Sequence, residues 1–558
     1  MIEEIVLPFD VVFAPAAMLK AGKLTCMYEE GRIRYICMDN TELIRMIYSA
    51  VRDEHWGTIP CQVMDETIVS NEASFTITYR ALYGKPVPVY EAFMLIEGRA
   101  DSSILFSMKG HALEGFHSNR IGLCVHHPVK ECSGESVMIT RPDGSMYTSG
   151  FPVAVSPAQP FLDVQQMKWT IAGIIQVAVG FEGDVFETED QRNWSDSSYK
   201  TYSTPLHRSY PVHVQAGDKK EQVITLKTLG EKSAGSSLPH NPAREERVPF
   251  PKIGYGHSLV AGPVPRDVKK LLQKIPFDHL RVTLSINETG WLYDLQMAGE
   301  QATLYGTRLA LVVFFSQDAE HELALLLAAL QEGKTCISSI LVLQKNQPVT
   351  PPNLLQYAYP LIKKALPSVQ VGYGTDLFFA DLNRQRPRDV LFDFICFSLH
   401  PQVHSSDNRS LLENLDNQAD LVATARLFAV GKPVYVSPVT LADRYQHTKH
   451  DERQYTALAA WWTLMSMQQL SAAAGITFYE LFGKSGLLYI NRDANNGAAT
   501  IQYAPLYSVL AAIHAFEPVN IIKRYAGDEL LMDGLLLENK SGKRLFFKTP
   551  PAILSFKK

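Results

Sequence analysis

RLALVVFFS (308–316), followed by HELALLLAALQE (321–332) and then CISSILVLQ (336–344), is the stretch whose reading decides the fold. The first and third runs are short, almost uninterrupted and rich in β-branched or aromatic side chains. Strands buried on both faces look like this. The middle run has the length and apolar spacing of a helix. A strand, a helix and a second strand in close succession make a parallel βαβ unit.

Working outward, the rhythm repeats. KIGYGHSL (252–259) precedes PRDVKKLLQKI, and HLRVTLSIN (279–287) precedes YDLQMAGEQATLY. PNLLQYAYPLIKKAL follows the third run, and then come VQVGYGTDLFFADLN (369–383), DFICFSLH (393–400), KPVYVSPV (432–439) and GITFYELFG (475–483). Eight strands with intervening helices predict a closed (β/α)8 barrel over residues 246–515, with QYAPLYSVLAAIHAF as the eighth helix. An open doubly wound sheet is the alternative, weakened because no GxGxxG follows the first strand.

Upstream, residues 1–245 carry a different pattern. KLTCMYEEGRIRYICM (23–38) reads as a hairpin turning at Glu30-Gly31. SFTITYRALY, SILFSMKGHALEGF and RIGLCVHHPV continue as short strands, and Arg141-Pro142-Asp143-Gly144 is a turn. These predict a β-sandwich. Gly, Ser, Pro and charge between about Gly217 and Pro251 mark a loop or linker, within which VITLKTL keeps strand character. Residues 516–558 (NIIKRYAG, ELLMDGLLLENKSGKRLFFKT, AILSFK) predict a small C-terminal β domain. The whole reads as multidomain, α/β plus β.

Composition narrows the function. The 558 residues carry a formal net charge of −5, with 46% hydrophobic and 20% charged residues. A basic footprint for nucleic acid is missing, and no apolar run reaches the ~18 residues of a membrane span. The acidic N-terminus MIEEIVLPFD is unlike a secretory signal, which predicts a cytoplasmic protein. The seven scattered cysteines form no CxxC pair and read as reduced thiols. No P-loop and no GxSxG elbow occur.

In a (β/α)8 barrel the chemistry sits at the C-terminal ends of the strands. That rule selects Tyr255 and His257, Asn287 and Glu288, Gln344 to Asn346, Thr375, Asp376 and Asn383, then His400, His404, Asp407 and Asn408, Ser437 and Thr440, and Tyr479 and Glu480. Glu480 stands in an apolar neighbourhood able to raise its pKa toward a general base's range. Glu288 could serve as a second acid or as a helix cap. His400 and His404, four apart, would share one helical face if Pro401 opens a helix. With Asp407 they could hold a divalent metal or contact substrate hydroxyls. The second reading is preferred, because no HExxH or HxH pattern is present, and no cofactor is expected. His126-His127 and Trp461-Trp462 read as structural.

Phe181–Leu206 (FEGDVFETEDQRNWSDSSYKTYSTPL) mixes many ionisable groups with aromatics, which predicts either a polar network at a site or a salt-bridged seam.

Three stretches together resemble the D-apionate lactonases: EDQRNWSDSSYKTYSTPL (189–206), HPQVHSSDNRSLLENLDNQ (400–418) with PVYVSPVTL (433–441), and DERQYTALAAWWTL (451–464) followed by TFYELFG (477–483). That family hydrolyses D-apionolactone to D-apionate in bacterial catabolism of apiose. It joins an N-terminal β domain, a TIM barrel and a small C-terminal β domain. The resemblance places Glu189, Asp190, Arg192, Asn193, Lys200, Asp407, Asn408 and Arg444 in family motifs, which suggests substrate-binding roles; the strand-end rule adds Tyr255, His257 and His400 to that set. The resemblance implies a sugar lactone as the partner molecule; catalytic roles for Glu480, His404 and Glu288 are inferred from their places at the strand ends. The chain departs from the family where Leu481-Phe482 replace a pair of threonines. A glycoside hydrolase with paired carboxylates is the alternative enzyme, and a carbohydrate-binding scaffold the non-enzymatic one.

Overall fold

The computed structural model describes residues 2–8, 11–231, 243–258, 266–333, 336–444, 450–492, 499–550 and 553, with no side-chain detail for Tyr479. Two compact units emerge. One comprises Phe13–Arg192 and Ser197–Leu238; the other comprises Met1–Val12, Asn193–Asp196 and Pro239–Lys558.

The first unit is a sandwich of two nine-stranded sheets. Its strands form for the reason the alternation suggests. In Phe75–Tyr83 the odd-numbered side chains Phe75, Ile77, Tyr79, Ala81 and Tyr83 are all buried while their neighbours face outward. Inward residues of both sheets, such as Ile47 and Val125 from one and Ile96, Val177 and Leu226 from the other, share a single core. The expected hairpin is present as Leu24–Glu29 paired with Arg32–Met38, and the Arg141–Gly144 turn joins Ser136–Thr140 to Met146–Gly150.

The linker expectation needs correction. Lys219–Glu231 is a thirteen-residue strand between Ile175–Glu182 and Ser103–Ala112. Its polar composition is surface alternation, because Ile224 and Leu226 are fully buried. Arg244–Pro249 is likewise a strand, paired with Pro518–Ala526. Residues 232–242 of the expected linker lie outside the described residues.

The second unit contains the barrel. Lys252–Gly256, His279–Ser285, Arg308–Phe315, Ile337–Gln344, Gln370–Gly374, Phe394–Leu399, Val434–Val439 and Gly475–Phe482 pair in parallel in that order. The first and eighth strands pair, Ile253 with Ile476 and Tyr255 with Phe478, which closes the cylinder. Every residue of Phe394–Leu399 is buried, as a strand covered on both faces requires. The helix Ala457–Gln469 is buried all round and carries Trp461 and Trp462 into the core. A hairpin, Gly486–Arg492 with Ala499–Tyr503, extends the sheet beyond the eighth strand; sequence reading did not anticipate it.

The C-terminal strands Gly534–Asn539 and Arg544–Lys548 form a hairpin. Their sheet also recruits Ile2–Val6, in parallel with Arg544–Lys548, and Arg244–Pro249. It is therefore assembled from three separate parts of the chain. AILSFK, apart from Ile553, lies outside the described residues. Among the described residues no helix is long and apolar enough to cross a membrane, and all seven cysteines are free thiols.

Candidate active site

The side chains that matter gather at the C-terminal ends of the barrel strands. After the fifth strand, Asp376 is 6% exposed and is clamped between two guanidiniums. Arg281, from within the second strand, donates to Asp376 Oδ1. Arg444 Nη2 lies 3.0 Å from the same oxygen and donates to the Asp376 main-chain carbonyl at 2.8 Å. Arg444 is thereby fixed in place near Glu480.

Glu480 lies two residues before the end of the eighth strand and is an exposed residue. Partial burial of the carboxyl among its neighbours still raises its pKa above the ordinary carboxylate range, and the Arg444 charge pulls the other way. Gly483, with φ +109°, directly follows the strand. A side chain is strained in that conformation, and a Cβ there would stand 3.5 Å from Glu480 Oε2.

The sixth strand delivers His400 and His404. They do not share a helical face: residues 400–407 form an irregular loop, and the helix begins only at Asn408. Pro401 does not nucleate it. Asp407 does so instead, accepting from Ser410 N at 3.0 Å and Ser410 Oγ at 2.8 Å as an N-cap. Asn408 Oδ1 accepts from Arg453 Nη1 at 2.7 Å.

His400 is 4% exposed, and neither ring nitrogen has a hydrogen-bond partner among the described residues. Burial pushes its pKa down to about 4, against the pull of Asp443, whose Oδ1 is 3.9 Å from Nε2. His404 is placed differently. Its Nδ1 donates to Asp196 Oδ2, and Asp196 Oδ1 accepts from Asn414 Nδ2 at 3.2 Å. A carboxylate acceptor fixes the proton on Nδ1 and leaves Nε2 as the working nitrogen.

Asp196 belongs to the turn Asn193–Asp196, which is part of the barrel unit. Within that unit Asn193 Oδ1 accepts from Asn383 Nδ2 at 2.9 Å. Trp194 packs edge-on to Phe378, with ring centroids 5.2 Å apart, and lies 6.4 Å from the His404 ring. Neither the His404–Asp196 pairing nor the role of Arg281 was read from sequence. A lone Arg inside the apolar run HLRVTLSIN was the available signal for the latter.

The rest of the Phe181–Leu206 motif is held in the sandwich unit, where Phe186–Asp190 and Ser198–Ser203 pair as a hairpin. Asp190 and Arg192 are fully buried and paired bidentately, Nη2 to Oδ2 at 2.7 Å and Nε to Oδ1 at 2.9 Å. Arg192 also donates to the carbonyls of Pro152 and Val153. Glu189 Oε2 accepts from Gln191 Nε2 at 3.0 Å, and the Lys200 ammonium lies 5.7 Å from the Tyr202 ring and 6.0 Å from that of Tyr48.

Tyr255 and His257 flank Gly256, which pairs with Glu480 across the first and eighth strands. Tyr255 stacks on Phe277 with centroids 5.1 Å apart, and Phe277 in turn meets Tyr305 at the end of the helix Trp291–Tyr305. His257 Nδ1 donates to Gln301 Oε1 of the same helix at 3.1 Å, and burial lowers its pKa. Glu288 is 65% exposed and pairs with Lys345 Nζ at 2.6 Å on the rim. No group of three His, Cys, Asp or Glu side chains converges with metal-ligating geometry among the described residues.

Residues 10–231 match the D-apionate lactonase N-terminal domain family, and residues 254–518 match the D-apionate lactonase TIM barrel domain family. The chain is 27% identical over 447 residues to a D-apionate lactonase of Brucella anthropi, covering 76% of this chain and 73% of that protein. Among solved structures it is similar to an α-L-arabinofuranosidase of Thermotoga maritima (TM-score 0.39, 11% identity, 53% of this chain and 82% of that one). It is also similar to a GH5 xyloglucanase of Bacteroides ovatus (TM-score 0.32, 11% identity, 62% and 95%). With both of its large domains matched by one family's models, the chain belongs to the D-apionate lactonase family and is a lactone-hydrolysing enzyme.

Proposed function

We propose that the enzyme opens D-apionolactone to D-apionate by carboxylate-assisted attack of water at the C-terminal face of the barrel. The observation that carries this reading is the His404–Asp196 pair, held by Asn414, on the face that also presents Glu480 and Arg444. The family's description and the name of the Brucella relative support this choice of substrate.

Lactone hydrolysis needs a base for water, a donor for the developing oxyanion and a proton for the leaving ring oxygen. Glu480 takes the first role, its raised pKa making it the stronger base. Arg444, immobilised by Asp376, faces the oxyanion. His404, oriented through Nδ1 by Asp196, returns a proton to the ring oxygen. His400, buried with neither ring nitrogen hydrogen-bonded among the described residues, is suited to a substrate hydroxyl. Glu189, Asp190, Arg192 and Lys200 hold together the hairpin of Phe186–Asp190 and Ser198–Ser203 within the sandwich unit, and Glu288 keeps a rim position. The reaction as written requires no electron or group carrier.

The test is pH-stat hydrolysis of a panel of aldonolactones, with and without chelator. Apionolactone should be the best substrate, and Glu480→Gln should lower kcat by about 10²–10⁴ while preserving the fold. Failure on every lactone, or near-native turnover by folded Glu480→Gln, overturns the proposal.

A further inference from the structure

The barrel axis is hollow at the end opposite Glu480. A chamber of 450 Å³ opens among Lys252, Asp278, Arg308 and Gln370, which lie at the N-terminal ends of the first, second, third and fifth strands. Barrels of this kind normally fill their axis with layers of bulky branched side chains. Here Ala310, Ser339, Cys396 and Thr477 line the space, and their small size is why it stays open.

The wall is polar and unevenly charged. Asp278 is the single carboxylate in it, facing the ammonium of Lys252 and the guanidinium of Arg308. Arg308 Nη2 reaches Asp278 Oδ1 only at 4.0 Å, and His279 Nδ1 lies 3.3 Å from Oδ2. Arg281 also lines the chamber, but Asp376 takes up its charge. Two cations against one acid leave an excess of one positive charge. Ser339 and Ser368 offer hydroxyls, while Phe394 and Tyr435 offer ring surface for C–H faces. The volume falls within the roughly 300–1,000 Å³ of small-molecule sites.

We propose that this chamber binds a small polyhydroxylated monocarboxylate, at a site separate from the lactone-opening face. The carboxylate lies between Lys252 and Arg308, and the hydroxylated chain runs inward along the serines. The proposal stands independently of the roles assigned to Glu480 and His404.

Calorimetric titration of the full chain with sodium gluconate, sodium sulfate and sorbitol tests it. Gluconate should bind saturably, with sulfate and sorbitol each weaker by at least about tenfold. The Lys252→Ala/Arg308→Ala double variant, altered at two exposed strand ends, should lose about tenfold or more in gluconate affinity while keeping its lactone turnover. Arg308→Glu should do the same if the double variant folds poorly. Glu480→Gln and Arg444→Ala should leave gluconate binding intact. The proposal is overturned if gluconate does not bind, if sulfate binds as tightly, or if binding is lost in the Glu480 and Arg444 variants but survives in the Lys252 and Arg308 variants.

Discussion

Two aspartates six residues apart show how context assigns opposite duties to one side-chain type. Asp190 is fully buried against Arg192, whose guanidinium is further satisfied by two carbonyls. Burial alone raises the Asp190 carboxyl pKa, and the Arg192 hydrogen bonds and charge offset that cost. Removing either partner leaves an uncompensated buried charge. Arg192→Ala should therefore cost about 3–5 kcal/mol in urea unfolding of the sandwich unit. Asp196 instead holds Nδ1 of the His404 imidazole. Asp196→Asn keeps a hydrogen-bonding side chain but removes the charge that stabilises a protonated His404. Its kcat should fall by about 10²–10³ with little change in stability. Equal loss of stability in both variants would show that the two acids do the same structural work.

At the scale of elements, the eight barrel strands were legible because each is a short apolar run with its own helix, and both signals are local. The strand-end rule selected Asp376, His400, His404 and Glu480, which lie near or after the C-terminal ends of the fifth, sixth and eighth strands. Partners far apart in sequence were not legible. Asp196 and His404 are separated by 208 positions, Arg281 and Asp376 by 95, and no periodicity links them. The pairing of Ile2–Val6 with Arg544–Lys548 was invisible for the same reason. His400 and His404 misled because a four-residue spacing implies a shared face only in a helix, and the helix starts after them. One close approach in the fifth strand tests how tightly an element controls the site. A Cβ on Gly374 would stand 2.0 Å from the Cys396 carbonyl oxygen of the sixth strand. Gly374→Ala must push these strands apart just before Asp376. It should loosen the Arg444 clamp, lowering kcat/KM for lactone and thermal stability together; an unchanged Tm would show that the strands absorb the methyl without moving.

At the scale of the molecule, each unit carries a buried imidazole whose pKa lies far below its ordinary value, and these two weigh on stability in acid. His127 sits in the sandwich core with Nε2 bonded to Thr201 Oγ1 at 2.8 Å, and burial pushes its pKa down to about 3. His400 in the barrel is pushed down to about 4. Both are lower in the folded chain than the ordinary value of 6.5, so below pH 6.5 the unfolded chain takes up the protons first. Their contribution is fully present above about pH 6.5 and is lost as pH falls through 4 for the barrel and 3 for the sandwich. Glu131 in the sandwich works in the opposite sense. Burial raises it to about 7, so its contribution is present below about 4.5 and is lost as pH rises through 7. The sandwich should therefore hold its stability better than the barrel on mild acidification. Urea unfolding followed by two probes, one for each unit, should show the barrel transition losing roughly 2 kcal/mol between pH 6.5 and 4.5. His400→Gln, which cannot take up a proton, should abolish most of that loss. A barrel transition equally acid-sensitive in His400→Gln would assign the effect to other groups.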